Sequence, residues 1–537
     1  MRGTVRARGF EPEQSRRLGQ RSPGRRGNDK RTSHDTSHES DTSERKLEAA
    51  ALKRRAVSGA LWTIASSAGG RVVGLIATLV LTRFLAPEAY GAVAIASVAV
   101  ATVSALTGLG VGQYVVAHPK ESPSTTFHAS VLCLGVGITA LTGAYFARHA
   151  LAELFGTPDL ARYLPGVVAA AMFERIAYLP GRILARDMRF RALGLRQLAG
   201  EAAYAVVAVG LALFGLGGMA LVWGMIARAA TLAVSSVLSI RVADWLRVSP
   251  LSFATTRKMM KFAAPMTLAD ILAWLARRGD NLLMAGLFGP AIAGQYNLAY
   301  NLADVPATHI GEHIGDVLLP SFASMEDPRA RLRVLVRAEG LLALVVFPLA
   351  IGLGLVAHSL VTALFDPRWA MVAPLLAVLS ALSVLRPVGW LVGAYLQATH
   401  QPGLVLRLEA VKTAGLFVLL PALARIGPVA AACGVGIAYA ASSGCAILCL
   451  RRQSGLGIVG LVAPLAAPLA ACAAMVPAVL VARLLLTRAG SAPGLVLGAE
   501  IALGAAAYVA AALVLAPHQA RDLLSLARRG KHARAFA

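Results

Sequence analysis

Charge is scarce in this chain, and negative charge scarcest. Only 15% of the 537 residues are charged, with 28 acidic against 52 basic side chains. A water-soluble domain carries about 25%, and a chain this apolar would aggregate in water. Cysteines number five, Cys133, Cys433, Cys445, Cys449 and Cys472. Their spacing matches no zinc site and no disulfide framework, so neither a metal nor a cofactor is expected. No GxxxxGK[ST] motif occurs, so the chain has no P-loop of its own. Any transport must then run on an ion gradient or on the gradient of the substrate. Long hydrophilic breaks are missing too. "FGLGG" (214–218) and "FGPAIAG" (288–294) leave no room for an external catalytic domain. That absence argues against a glycan polymerase or ligase. No catalytic constellation is visible, and no catalytic residue is assigned.

What the chain has is apolar helix. Hydrophobic residues make up 57% of it, arranged in about fourteen runs long enough to cross a ~30 Å hydrocarbon core. The fold class is therefore an all-α polytopic membrane protein. Residues 1–55 read as a disordered basic tail. Spans one to six form an N-lobe over 56–240, followed by a linker at 241–259. A C-lobe of spans seven to twelve covers 260–450. Spans thirteen and fourteen fill 451–516, and 517–537 is a second basic tail. Lys53, Arg54, Arg55, Arg186, Arg189, Arg191, Arg257, Lys258 and Lys261 crowd every second break, which predicts both tails in the cytoplasm. The formal net charge of +24 follows from the same bias. No basic folded module is visible, so nucleic acid is not expected as a partner.

An internal repeat underlies the two lobes. "LVLTRFLAPEAYGAVAIA" (79–96) and "LLMAGLFGPAIAGQYNLA" (282–299) align at a constant offset, pairing Pro87 with Pro290 and Gly91 with Gly294. At a slightly larger offset Pro165 meets Pro374, Glu201 meets Glu409 and Gly217 meets Gly427. Six spans separate the copies, an even number. The repeats are thus parallel, related by an axis along the membrane normal, and leave a cavity between them.

"TRFLAPEAYGAVAIA" after span one, "RRGDNLLMAGLFGPAIAGQYNLAYNLADVP" (277–306), "LPGRILARDMRFRALGLRQL" (179–198) and "LLPSF" (318–322) resemble the Wzx-type oligosaccharide flippases. These form the polysaccharide-transporter branch of the multidrug/oligosaccharidyl-lipid/polysaccharide (MOP) exporter superfamily. The likeness covers roughly residues 56 to 450. It implies a multi-pass protein of the bacterial cytoplasmic membrane, whose substrate is an undecaprenyl-diphosphate-linked glycan. It also implies work alongside a polysaccharide polymerase and glycosyltransferases.

A charge at mid-bilayer costs about 2.5–3.5 kcal/mol on insertion scales, so it usually lines a cavity or finds a partner. Arg71 in span one, and Arg277 and Arg278 in span seven, are expected near mid-depth, each the first span of a lobe. A guanidinium binds phosphate oxygens as a bidentate fork. These three are the candidate diphosphate clamp. The bland alternative is that Arg277 or Arg278 pairs with Asp280 or Asp304 simply to insert. Asp280, Asp304, His309, Glu312, Glu174 and Arg386 are polar-cavity or coupling candidates, able to serve a proton or sodium ion. Asp304, His309, Glu312, His313 and Asp316 make span eight the most polar of the helices. Arg386 precedes Pro387, where a kink is expected. Glu409 and Lys412 are one turn apart and expected to pair locally. The expected function is alternating-access export of the lipid-linked oligosaccharide. The rival is a multidrug or organic-cation antiporter, which would need an acidic, aromatic-lined cavity.

Overall fold

The computed structural model describes residues 66, 69–117, 123–187, 189–241, 245–323, 325, 327–399, 401–454, 457–523 and 525. The side chains of 305–321 are among those not described. The expectation for the 1–55 tail lies outside the described residues.

Helices run through every described part of the chain. In chain order they are α1 (69–84), α2 (Pro87–Leu106), α3 (Val111–Ala117), α4 (Pro123–Phe146), α5 (Arg148–Leu154), α6 (Asp159–Arg186), α7 (Phe190–Leu213) and α8 (Gly218–Leu238). Then follow α9 (Phe253–Ala323), α10 (Pro328–Leu364), α11 (Val372–Leu382), α12 (Arg386–Ala398), α13 (Pro402–Ala424), α14 (Pro428–Ser454), α15 (Ile458–Arg488) and α16 (Pro493–Leu515). Proline sets several starts, since a residue at the first helical position needs no amide hydrogen. α2, α10, α13 and α16 all begin this way. At α10 the Asp327 side chain also accepts from the Arg329 and Ala330 amides at 2.9 and 3.1 Å.

Three expected single spans are broken, span three (129–153) among them, which divides into α4 and α5 at Ala147. Span two (89–116) divides into α2 and α3, with Leu109 and Gly110 at positive φ between them. Span ten (370–397) divides into α11 and α12 through a short 3-10 turn at Ser383–Leu385, just before Pro387. α9 starts at Phe253, inside the expected 241–259 linker. It is two arms meeting at Gly289, whose φ of 74° and ψ of −179° lie in a region open essentially to glycine alone.

Among the described residues, eight helical stretches are long and apolar enough by themselves to cross a membrane, α11 and α12 counting together as one. α6, α7, α9 and α13 are long but fall outside that set, and they carry many of the charges within the helices: Glu174, Arg175, Glu201, Arg277, Arg278, Asp280, Glu409 and Lys412. Polarity that weakens a helix as a lone span is tolerated where the helix faces a cavity or a partner.

The core is several clusters. One joins α1, α2, α4, α6, α7 and α8 through residues such as Leu81, Leu164, Val222 and Ala208. A second joins α9, α10, α11, α13 and α14 around Trp369, Tyr296, Leu375 and Leu420. α15 and α16 pack on α10 through Phe347, Met475 and Tyr508. The repeat is visible in this packing. Gly217 and Gly427, paired in the sequence, both take positive φ at the turns of the α7–α8 and α13–α14 hairpins.

The paired Gly91 and Gly294 meet each other. A Cβ on Gly91 would lie 1.8 Å from the Pro290 carbonyl oxygen, and one on Gly294 would lie 2.5 Å from that of Pro87. The two repeats therefore touch backbone to backbone at equivalent residues. Beside this seam the Trp369 indole donates to the Thr82 carbonyl at 3.0 Å, and Arg83 donates to the Leu364 carbonyl at 3.1 Å.

Candidate functional site

The glycine seam brings the starts of α2 and of the second α9 arm together, and below it the two diverge. The space between them holds a cavity of about 780 Å³. Its walls come from α2 (Tyr90, Ser97, Ser104), α6 (Glu174, Arg175, Tyr178, Arg182), α7 (Tyr204), α8 (Arg228) and both arms of α9 (Asp270, Trp274, Arg278, Asn297, Asn301). Four arginines face two acids across these walls.

Those arginines differ in what they already hold. Arg175 is buried; it donates to the Ser104 carbonyl and to the Thr107 hydroxyl, the latter at 2.8 Å. It thereby satisfies the open C-terminal end of α2 where span two breaks. Arg228 reaches Glu201 at 3.0 Å and Glu174 at 3.6 Å. Arg182 lies over the Tyr178 ring, 5.1 Å from its centroid. Half-buried Arg278 makes no hydrogen bond or ion pair with the described residues, and it borders a second cavity as well.

The α9 arms are tied by a polar ladder. Asp280 is buried, accepting from the Tyr296 hydroxyl at 2.7 Å and from the Asn281 amide at 2.8 Å. Asn297 donates to Asn281 and Asn301 to Asn297, both at 2.9 Å. The last two line the large cavity. Each buried polar atom of this ladder has a partner, as burial demands. Asp280 thus fixes the polar wall from behind and lines neither cavity itself.

The second cavity, about 310 Å³, is lined by α9, α12, α13 and α14 with the turn before α12. Arg277 and Arg278 stand on its wall beside Asp304 and Arg386. Asp304 pairs with Arg386. The bland sequence alternative, an Asp280 or Asp304 partner for Arg277 or Arg278, is not seen as a direct ion pair among the described residues, although Asp280 lies within electrostatic range of Arg278. Lys412 pairs with Glu409 at 2.6 Å, one turn apart. The repeat-equivalent glutamates Glu201 and Glu409 each hold a cation, through Arg228 in one half and Lys412 in the other.

Arg71 is exposed on α1 and stands on the wall of neither cavity. Its neighbours Gly70 and Gly74 face Glu201 of α7, so Arg71, about 100° around the helix, points elsewhere. The structure groups Arg277 and Arg278 and leaves Arg71 apart. His309 and Glu312 lie outside the described side chains. Sequence reading missed Asn297, Asn301, Trp390 and Tyr439 as wall residues. Only the alternation of "NLAYNLAD" (297–304) hinted at the asparagines. Among the described residues no cluster of three or more metal-binding side chains occurs.

A family described as polysaccharide biosynthesis protein matches residues 80–374, more than half of the chain. The chain is 25% identical over 391 residues to the lipopolysaccharide biosynthesis protein WzxC of Escherichia coli (strain K12), covering 72% of this chain and 78% of that one. It is 25% identical to the succinoglycan biosynthesis transport protein ExoT of Rhizobium meliloti (strain 1021), covering 59% and 64%. Among solved structures, the lipid II flippase MurJ in an inward closed conformation superposes with a TM-score of 0.69 over 86% of this chain and 99% of that one. At 14% identity that likeness speaks for the fold.

Proposed function

The chain belongs to the polysaccharide biosynthesis protein family, and we propose that it carries a polyprenyl-diphosphate-linked oligosaccharide across the bacterial cytoplasmic membrane by alternating access. The observation that supports this most is Arg278: a cation without an ion pair or hydrogen bond among the described residues, on the wall of a basic cavity. A diphosphate leaving water needs such a partner, and a protein that carried no anion would gain little from placing one there. Arg277 on the adjoining wall and Arg182 over the Tyr178 ring extend the same basic surface. The polyprenyl tail stays in lipid while the headgroup occupies the cavity.

In the orientation that the charge pattern predicts, the glycine seam lies at the outer end and the cavity on its cytoplasmic side. With the cell interior negative, outward movement of an anion is favoured by about 2.3 kcal/mol per charge per 100 mV if the whole potential is crossed. An inward proton or sodium ion is a candidate for resetting the carrier. The organic-cation antiporter is less well supported, because Glu174, an acid that such a cargo would need, already pairs with Arg228.

The test is export in cells. Arg278→Ala at normal abundance should lower surface polysaccharide at least about tenfold, the factor that a 1.4 kcal/mol change gives. Full export by Arg278→Ala and by an Arg277→Ala/Arg278→Ala double variant would rule out the clamp.

A further inference from the structure

The smaller cavity is made wholly by the C-terminal half of the chain and is built unlike the large one. Its inner charges are neutralised in pairs, Arg386 with Asp304 and Lys412 with Glu409. Arg386 is held between two rings, with its guanidinium carbon 5.1 Å from the Tyr300 centroid and 5.3 Å from that of Tyr439. Lys412 also lies over the Tyr439 ring, 5.2 Å from its centroid. Trp390 adds an indole to the wall.

Space remains beside these groups. Gly389 and Gly393, one turn apart on α12, both line the cavity, and a Cβ on either would meet nothing within 4 Å. A void of about 310 Å³ sits at the lower end of the ~300–1,000 Å³ typical of small-molecule sites. Arg278 borders this cavity and the large one. A group covalently joined to an anion at Arg278 is therefore within reach of it.

The wall chemistry selects the occupant. A polyprenyl chain would desolvate two ion pairs without replacing their hydration. A free cation would find both carboxylates already taken. A pyranose ring suits both features. Its C–H face can lie on the negative face of an aromatic ring, and its hydroxyls can donate to Glu409 and Asp304 and accept from Lys412 and Arg386. We infer that the cavity lined by Trp390, Gly389, Gly393, Glu409, Lys412 and Arg386 is a saccharide subsite. It takes a sugar of the headgroup while the diphosphate rests at Arg277 and Arg278. This inference rests on the lipid-linked oligosaccharide reading above. It adds that the C-terminal half recognises sugar, beyond the charge of the diphosphate.

The test uses the full chain in lipid nanodiscs and two probes. One is undecaprenyl diphosphate without sugar. The other is the lipid-linked oligosaccharide fraction extracted from a host strain lacking this gene. The expected result is that the wild type binds the glycosylated fraction more tightly by about tenfold or more. Gly393→Phe, which fills the void from a position with free space, should abolish that preference and keep binding of the bare diphosphate lipid. Trp390→Ala should lower the preference in the same direction. Retained bare-lipid binding shows that both variants are folded. Binding of both lipids through Arg278, with the preference unchanged in Gly393→Phe and Trp390→Ala, overturns the subsite and leaves the flippase reading standing. Failure of the wild type to bind either lipid overturns the flippase reading, and the subsite falls with it.

Discussion

At the scale of single residues, the informative distinction is between arginines that are committed and those that are not. Arg175 closes a helix end and Arg386 is locked to Asp304, whereas Arg278 makes no such contact among the described residues. Replacing the two kinds should fail in different ways. Arg278→Ala should leave abundance and thermal stability unchanged while export falls. Arg278→Lys should restore part of the export, since an ammonium keeps the charge and loses the bidentate fork. Arg386→Ala should instead unfold the protein more readily, near the lower end of the ~3–5 kcal/mol that breaking a buried pair costs, because Asp304 keeps some exposure. A thermal unfolding series in detergent on Arg386→Ala and Arg386→Ala/Asp304→Ala checks this; the double variant should recover much of the loss. Arg71→Ala should affect export less than Arg278→Ala. The sequence revealed the charged wall residues because a charge in an apolar run is conspicuous. It hid Asn297, Asn301 and Trp390. An uncharged polar or aromatic side chain costs a span little, and which face it presents is settled only by the neighbouring helix.

At the scale of elements, backbone contact between the repeats is the feature with the sharpest consequence. Gly91 and Gly294 leave no room for a side chain in this arrangement. Gly91→Val or Gly294→Val must separate α2 from the second arm of α9, at a cost of about 1–3 kcal/mol or more. Cysteines introduced at exposed positions flanking the seam, in a variant without native cysteines, should become more reactive to a water-soluble thiol reagent. Unchanged reactivity would mean that the seam does not hold the closed end. Trp369→Phe, which loses the bond to the Thr82 carbonyl and keeps the ring against Tyr90, should move reactivity the same way by less. The Pro and Gly matches between 79–96 and 282–299 made this element legible as a repeat. They gave no hint that the matched glycines touch. A repeat reports equivalence, and contact depends on where the symmetry axis passes. The breaks in spans two and ten escaped hydropathy because apolar residues continue across them, although Pro387 marked the second.

At the scale of the whole molecule, two cavities are walled jointly by helices too polar to be good spans alone, such as α6 and α9, and by apolar spans, such as α2, α8 and α14. This arrangement links composition to function. The scarcity of charge sets the solvent, and in the proposed function the few deep charges select the cargo. The all-helical class and the repeat could be read from periodicity, glycine and proline. The repeat also implied a cavity between the lobes; which side chains of α2, α6, α8 and α9 wall it could not be read, because that depends on packing between segments far apart in sequence.

The central claim is that the basic cavity moves a diphosphate-linked glycan from one leaflet to the other. It is tested most directly in a strain lacking this protein, by measuring the amount and leaflet of lipid-linked oligosaccharide together with polysaccharide at the cell surface. The account predicts accumulation in the inner leaflet with loss of surface polymer, reversed by the wild-type gene and not by Arg277→Ala/Arg278→Ala at equal abundance. Unchanged lipid-linked oligosaccharide and surface polymer, with redundant carriers removed, would contradict it.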